Sequence, residues 1–274
     1  MTARLVALLI AAAFLIGGVA QGAPLDQLIE RLGSPASAER ADARDRLFKL
    51  GEAAVPILIE ACGSPDPTLR WEAVNLLGMI GDPRGIDAAL RLALSDPDVH
   101  ARWRANWALS RLDDGSVVPR LLVALADEDP LIRWNAAVAL SLFGVGEAVP
   151  ILHEGIAACG FQQWEAVNAL GRVWDDETPS RLVALLKEGD EDVRKEAALS
   201  LGRIGGEEAV EGLLLALASD PSPEVRWRAA MMIGRIGGEE MIAALRELSI
   251  SETDPFVLGQ IEEEIERLTA EEGG

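Results

Sequence analysis

The sequence predicts an all-α fold: a right-handed α-solenoid of about seven to eight stacked helix pairs. Three observations predict it. One ten-residue phrase returns six times: LRWEAVNLLG (69–78), ARWRANWALS (101–110), IRWNAAVALS (132–141), QQWEAVNALG (162–171), VRKEAALSLG (193–202) and VRWRAAMMIG (225–234). Its second residue, Arg70, Arg102, Arg133, Gln163, Arg194 and Arg226, recurs at intervals of 32, 31, 30, 31 and 32. A fixed period of this size marks a stack of units, each burying its apolar face only against its neighbours. Finally, the apolar residues Leu69, Ala73, Leu76, Leu77 and Ile80 fall at offsets 0, 4, 7, 8 and 11. That is one stripe of an α-helix, without strand alternation.

The elements follow in order. MTAR and the apolar run LVALLIAAAFLIGGVA (5–20) predict a signal peptide over 1–22, cleaved near Ala20 or Gly22. The run is short for a spanning helix, and Gly17 and Gly18 interrupt it. The mature chain is therefore expected to be exported, periplasmic or extracellular. Residues 24–270 form a single solenoid with degenerate caps. At its start, ERADARDRLFKLG (39–51) is a longer variant of the repeat. At its end, PFVLGQIEEEIERL (255–268) keeps the phase and turns acidic, as a solvent-facing terminal unit requires. Residues 271–274 are expected to be a disordered tail.

Within each unit a first helix begins on small or acidic residues, as in GEAVPILHEGI from Gly146 and GEEAVEGLLLAL from Gly206. Carboxylates suit a helix N-terminus because of the macrodipole. A turn such as GSPDP (63–67), SDPD (95–98) or SDPSP (219–223) follows, and its proline opens the second helix. A glycine, as in IGD (80–82), ends that helix. Each repeat arginine lies about one turn after an acidic turn residue. Arg102 is expected to pair with Asp98, and Arg226 with Glu224 or Asp220, each pair contributing about 0–1 kcal/mol.

The recurring phrase D-P-x-V-R-x-x-A-A-x-A-L-G-x-I-G-D resembles the HEAT-like repeats of the phycobilisome-lyase type, over nearly all of residues 24–270. The resemblance implies the fold, the packed Val/Ala/Ala/Leu positions and a concave face lined by second helices. It is specific for fold and weak for function, because similar repeats occur in bilin lyases, scaffolds and binding proteins.

Composition narrows the function. The chain of 274 residues is 49% hydrophobic, only 4% aromatic and without Tyr, which suits close helix stacking. Its net charge of −20 argues against nucleic acid or an anionic membrane surface as partner, since both need a basic patch. A neutral to basic protein or peptide partner is favoured; the oligomeric state is left open by the sequence, with a monomer favoured. Cys62 and Cys159 hold the same slot three units apart, on the order of 30 Å at roughly 10 Å per helix layer. A disulfide needs α-carbons within about 7 Å. Both are therefore expected to be unpaired, small and buried.

No catalytic constellation is present, and the chain is read as a non-enzyme without cofactor or metal. His153 lacks the second histidine of a zinc helix, and no P-loop, G-x-S-x-G or C-x-x-C occurs. The acidic turns lack the one-three-five spacing of a calcium loop.

What remains is the residue after the repeat arginine. Five of the seven tryptophans, Trp71, Trp103, Trp134, Trp164 and Trp227, hold this slot, with Lys195 in the sixth copy. Trp71 is rotated from Leu69 by about 200° and so leaves the core stripe. The same face carries Asn75, Trp107, Val138, Asn168, Leu199 and Met231 one turn later, with Asn106 as a further polar neighbour. The expected function is a non-catalytic scaffold holding a protein or peptide in a Trp-lined groove, centred on Trp103, Trp107 and Trp134. A glycan-binding module on the same Trp face is the alternative. A lyase-like subunit binding a tetrapyrrole rests on the resemblance alone. A ladder in which each Trp stacks on its adjacent Arg would instead be structural.

Overall fold

The computed structural model describes residues 24–112 and 115–272. The predicted signal segment lies outside them. The described residues form eight helix pairs and no strand. The pairs are α1 (Leu25–Leu32) and α2 (Ser37–Leu50), α3 (Val55–Ala61) and α4 (Pro67–Ile80), α5 (Ile86–Ser95) and α6 (Val99–Leu112), α7 (Val118–Ala124) and α8 (Pro130–Ser141). They continue with α9 (Val149–Ile156) and α10 (Phe161–Leu170), α11 (Thr178–Glu188) and α12 (Glu191–Ile204), α13 (Glu207–Ser219) and α14 (Pro223–Ile236), α15 (Glu239–Ser249) and α16 (Pro255–Glu272). The even-numbered helices carry the repeat phrase. Helix α16 runs to Glu272, so residues 271 and 272, expected in a disordered tail, are helical.

Local chemistry sets the boundaries. Asp66 caps α4 by accepting from the Thr68 amide at 2.9 Å, and Asp129 caps α8 from Leu131 at 2.8 Å. Pro67, Pro130 and Pro223 occupy first positions, where the missing amide hydrogen costs no helix bond. Gly81 ends α4 at φ +77°, a left-handed conformation that disfavours a side chain, and its amide donates to the Leu77 carbonyl.

Two apolar clusters, one from Leu28 to Val173 and one from Val167 to Leu268, form the core. Ala73, Leu76 and Leu77 are buried as the stripe predicted, with Val74 beside them, whereas Leu69 and Ile80 are half-buried. Gly78 lets α4 and α6 approach closely: a Cβ there would stand 2.8 Å from the Ala108 α-carbon. Gly171, Gly202 and Gly234 recur in that slot against Ser200, Met232 and Glu264 of the following unit.

Second helices pack on one another, α4 on α6, α10 on α12, α12 on α14 and α14 on α16, more closely than first helices do. The more closely spaced layer of a curved stack is its inner one, so the repeat-phrase helices line the concave side. One junction departs: α8 leans on α5 rather than α6, and the Asn135 amide donates to the Leu94 carbonyl at 2.8 Å.

Arg70, Arg194 and Arg226 reach forward, which corrects the pairing expected for Arg226, while Arg102, expected on Asp98, bonds instead to the Asp96 and Pro97 carbonyls of its own turn. Arg70 grips Asp96 through Nε at 2.7 Å and Nη2 at 2.8 Å. Arg194 grips Asp220 at 2.8 and 3.1 Å, and Arg226 grips Glu252 at 2.8 and 3.0 Å. Each carboxylate lies 26 residues on, in the turn of the next unit. These are inter-unit clasps. Their carboxylate side chains are only 2–6% exposed, so the estimate for exposed pairs does not apply. The intra-unit partner was wrong because the fork spans the stacking distance, which a one-helix argument does not contain.

Cys62 and Cys159 are both free thiols. Cys62 is buried, and burial pushes its thiol up to about 12. Cys159 is exposed, against the expectation that both would be buried.

Candidate partner-binding face

The tryptophans of the repeat slot share a helix face, but they do not share an environment. Trp103 is 44% exposed. Arg104 lies against it, with Cζ 4.9 Å from its ring centroid, and also 5.8 Å from that of Trp71. The guanidinium is thus shared by two indoles of neighbouring units. Arg104 Nη1 is also 3.5 Å from Asn75 Oδ1, which keeps Asn75 in this cluster. Helices α4 and α6 position the group because Gly78 brings them together.

Trp107 is half-buried. Its ring lies over Gly78, and Arg111 stacks on it at 5.4 Å while donating to the Gly78 carbonyl at 3.2 Å. Trp134 departs most from the exposed anchor expected. It is 8% exposed and inserts between helices α8, α9 and α10, where a Cβ on Gly155 would overlap its ring. Its Nε1 donates to Glu165 Oε2 at 2.7 Å. Burial pushes the Glu165 carboxyl up, while this hydrogen bond and the charge of Arg102 draw it down. Trp134 is a core side chain because glycine at 155 leaves a slot that the repeat pattern of α8 alone does not reveal.

Further along, Trp164 stacks on Phe161 at 5.6 Å beside a shallow groove that also takes in Asp190 and Asp192. Trp227 stacks on Phe256 of the next unit at 5.5 Å, with an interplanar angle of 16°. Lys195, standing in the Trp slot, pairs with Asp192 at 2.7 Å and Glu224 at 3.4 Å. None of the stacked pairs joins a Trp to its adjacent repeat arginine, so the simple Trp-on-Arg ladder is not what these residues build.

The other residues of the predicted face divide similarly. Val138 and Met231 pack partly buried against the two cores. Asn168 donates to Glu196 Oε1 at 2.6 Å and accepts from Arg172 at 2.5 Å. Asn106 is 6% exposed and turned into the interior, with no partner on Oδ1 among the described residues. It is no surface partner. It stands at the core position that Val74 and Ala137 fill in neighbouring copies, and that register was the signal available in the sequence.

Sequence reasoning missed several members. Arg104 and Arg111 lie one and eight residues after the Trp slot, within reach of the same face. Phe161 and Phe256 are 49% and 59% exposed, and Trp174, outside the repeat slot, is 46% exposed. Glu72 is fully buried and held by Arg44 Nε at 2.9 Å. Nothing in the alanine-rich phrase separates Glu72 from a surface glutamate.

Among the described residues no group of three or more His, Cys, Asp or Glu side chains could hold a metal ion, and no helix is long and apolar enough to cross a membrane. His153 donates to or accepts from Thr178 Oγ1 at 2.9 Å, and burial lowers its pKa.

Family and structural comparisons agree with this architecture. The HEAT repeats description matches residues 25–109, 86–159, 162–214 and 182–266. The chain belongs to the HEAT-repeat family. Among solved structures it is similar to YibA of Escherichia coli, at 17% identity over 97% of this chain and 98% of that one, with a TM-score of 0.52. It is also similar to the complex of CpcE and CpcF of phycocyanin lyase from Nostoc sp. PCC7120, at 21% identity over 92% of this chain and 97% of that one, TM-score 0.51. The phycobilisome-lyase type of repeat inferred from the sequence agrees with that likeness. These HEAT-repeat likenesses establish the fold. Comparison with curated proteins finds no match.

Proposed function

We propose that this HEAT-repeat chain is an exported, non-catalytic scaffold that holds a protein or peptide partner on the second-helix face of its first three units. The observation that supports this reading is the Trp71–Arg104–Trp103 cluster, in which one indole remains 44% exposed although the surrounding core is completed by alanine and leucine. Large aromatic and arginine side chains are the usual anchors of protein interfaces, because they bury much area for few lost rotamers. The apolar run over 5–20 supports export.

The test is affinity capture from an envelope extract with the mature chain, against a Trp103→Ala variant whose helicity is verified by circular dichroism. A protein retained by the wild type and lost with the variant supports the reading. Capture undiminished by the variant moves the site off this cluster. Export is tested separately by determining the N-terminal residue of the protein recovered from the envelope, which the reading places just after Ala20 or Gly22.

A further inference from the structure

The repeat arginines are used twice at the clasped junctions. Arg70 Nη1 donates to the Ser64 and Pro65 carbonyls of its own turn, and Arg226 Nη1 to those of Asp220 and Pro221. Those bonds aim the Nε and Nη2 edge, which then takes the carboxylate of the next turn as a fork.

Arg102 and Arg133 keep only the first half of this arrangement. Arg102 Nη1 donates to the Asp96 and Pro97 carbonyls at 2.8 and 3.4 Å, and Arg133 Nη1 to Asp127 and Glu128 at 2.8 and 2.9 Å. Among the described residues neither Nε nor Nη2 of either arginine has a hydrogen bond or an ion pair. The position 26 residues on is Glu128 for Arg102 and Cys159 for Arg133. Glu128 is exposed, on a turn that α8 carries toward α5. Cys159 is an exposed thiol with no carboxylate to offer. Nearby acids are engaged elsewhere. Asp98 caps Ala101, and Asp127 and Asp129 accept from the Asp129 and Leu131 amides; Glu165 feels the charge of Arg102 but gives its hydrogen bond to Trp134 rather than to the guanidinium.

We infer that Arg102 and Arg133 form a two-point receptor for carboxylates of an acidic segment on a partner protein. The three internal clasps are the template: the repeat arginine, held by one carbonyl of its own turn at Arg194 and by two at Arg70 and Arg226, takes a carboxylate as a fork at 2.7–3.1 Å. Two such edges in consecutive units suit a segment that presents two acidic side chains. The chain's net charge of −20 favours neutral to basic partners at long range, whereas these edges set what is gripped at contact. This inference is carried by the arginine edges and does not depend on the aromatic cluster.

The test follows the arginine Nε–Hε resonances of the mature chain by NMR while hexaglutamate is added, with hexaglutamine and inorganic phosphate as comparison ligands. The expected result is saturable shifts at Arg102 and Arg133, while the clasped Arg70, Arg194 and Arg226 stay in place. Arg102→Gln/Arg133→Gln weakens binding of fluorescein-labelled hexaglutamate by about tenfold, the loss of charge-assisted hydrogen bonds. Because that variant removes turn contacts too, Cys159→Asp provides a second test. It supplies an internal carboxylate to Arg133 and blocks the peptide there with the positive charge retained. Equal shifts at all arginines, an equal response to phosphate, or no shift overturns the inference. Trp103→Ala leaves the hexaglutamate response unchanged, so loss of the aromatic reading and loss of this one are separately visible.

Discussion

The C-terminal units and the central units of this solenoid are held together differently. From α12 to α16 each repeat arginine grips a buried carboxylate in the following turn, and Gly202 and Gly234 let successive second helices close on Met232 and Glu264. Around α6 to α10 the clasp is missing three times running, at Arg102, Arg133 and Gln163, whose forward positions are Glu128, Cys159 and Gly189. There the contact is made by Trp134, set against Gly155 and tied to Glu165. One repeat can therefore be joined by ionic forks or by one buried indole. Only the second leaves guanidinium edges available to other groups.

The largest effect should come from breaking the central junction. Trp134→Ala removes a buried indole and leaves a cavity in a region with no clasp, at a cost of about 3–5 kcal/mol. Denaturant unfolding of the variant should show this as a lower midpoint, with the central units losing hydrogen-exchange protection first. A loss below about 1 kcal/mol would mean that the central units do not depend on Trp134.

Next in size is the C-terminal clasp. Asp220→Asn preserves volume but leaves the Arg194 fork half paired, at a cost of about 2–3 kcal/mol. The matched central change, Glu128→Gln, should stay within about 0.5 kcal/mol, because that side chain is exposed and makes no ion pair among the described residues. Thermal unfolding of the two variants gives the contrast directly, and equal losses would erase the distinction between the regions.

The distinction can also be reduced by design. Cys159→Asp places a carboxylate 26 residues after Arg133 and should stabilise the centre by about 0.5–1 kcal/mol, read as a raised midpoint. An unchanged midpoint would show that geometry as well as residue type keeps this junction open.

The smallest contrast is in pH dependence. The Arg226 hydrogen bond holds the Glu252 carboxyl below its usual range. Its stabilisation is present above the unfolded value of about 4.3 and is lost as pH falls through the folded one. Glu165 is shifted the other way by burial. Its contribution is full below about 4.3 and is lost as pH rises through the folded value. Glu165→Gln retains an acceptor for Trp134, so its stability relative to wild type should rise between pH 4 and pH 7. Glu252→Gln should lose stability relative to wild type as pH rises through the lowered folded value of Glu252 to about 4.3, and differ little in its pH dependence above that. Stability curves across the two windows check the two signs.

Much of this was legible in the chain. The period of 30–32 and the stripe of Ala73, Leu76 and Leu77 determined a stack of helix pairs. The Asp-Pro turns and the glycine after α4 determined where helices begin and end. These are local or periodic properties, and in a solenoid the long-range contacts repeat the local ones. Tertiary structure decided what one unit offers the next. Trp71 and Trp134 have the same slot in nearly the same words, yet one shares Arg104 at a half-open surface and the other fills the space above Gly155. Arg70 and Arg102 are equally alike in sequence, and only the turn 26 residues on separates a closed clasp from an open edge. Environment in a stack is set by the neighbour's side chains across about 10 Å, and a residue's own helix carries no record of them.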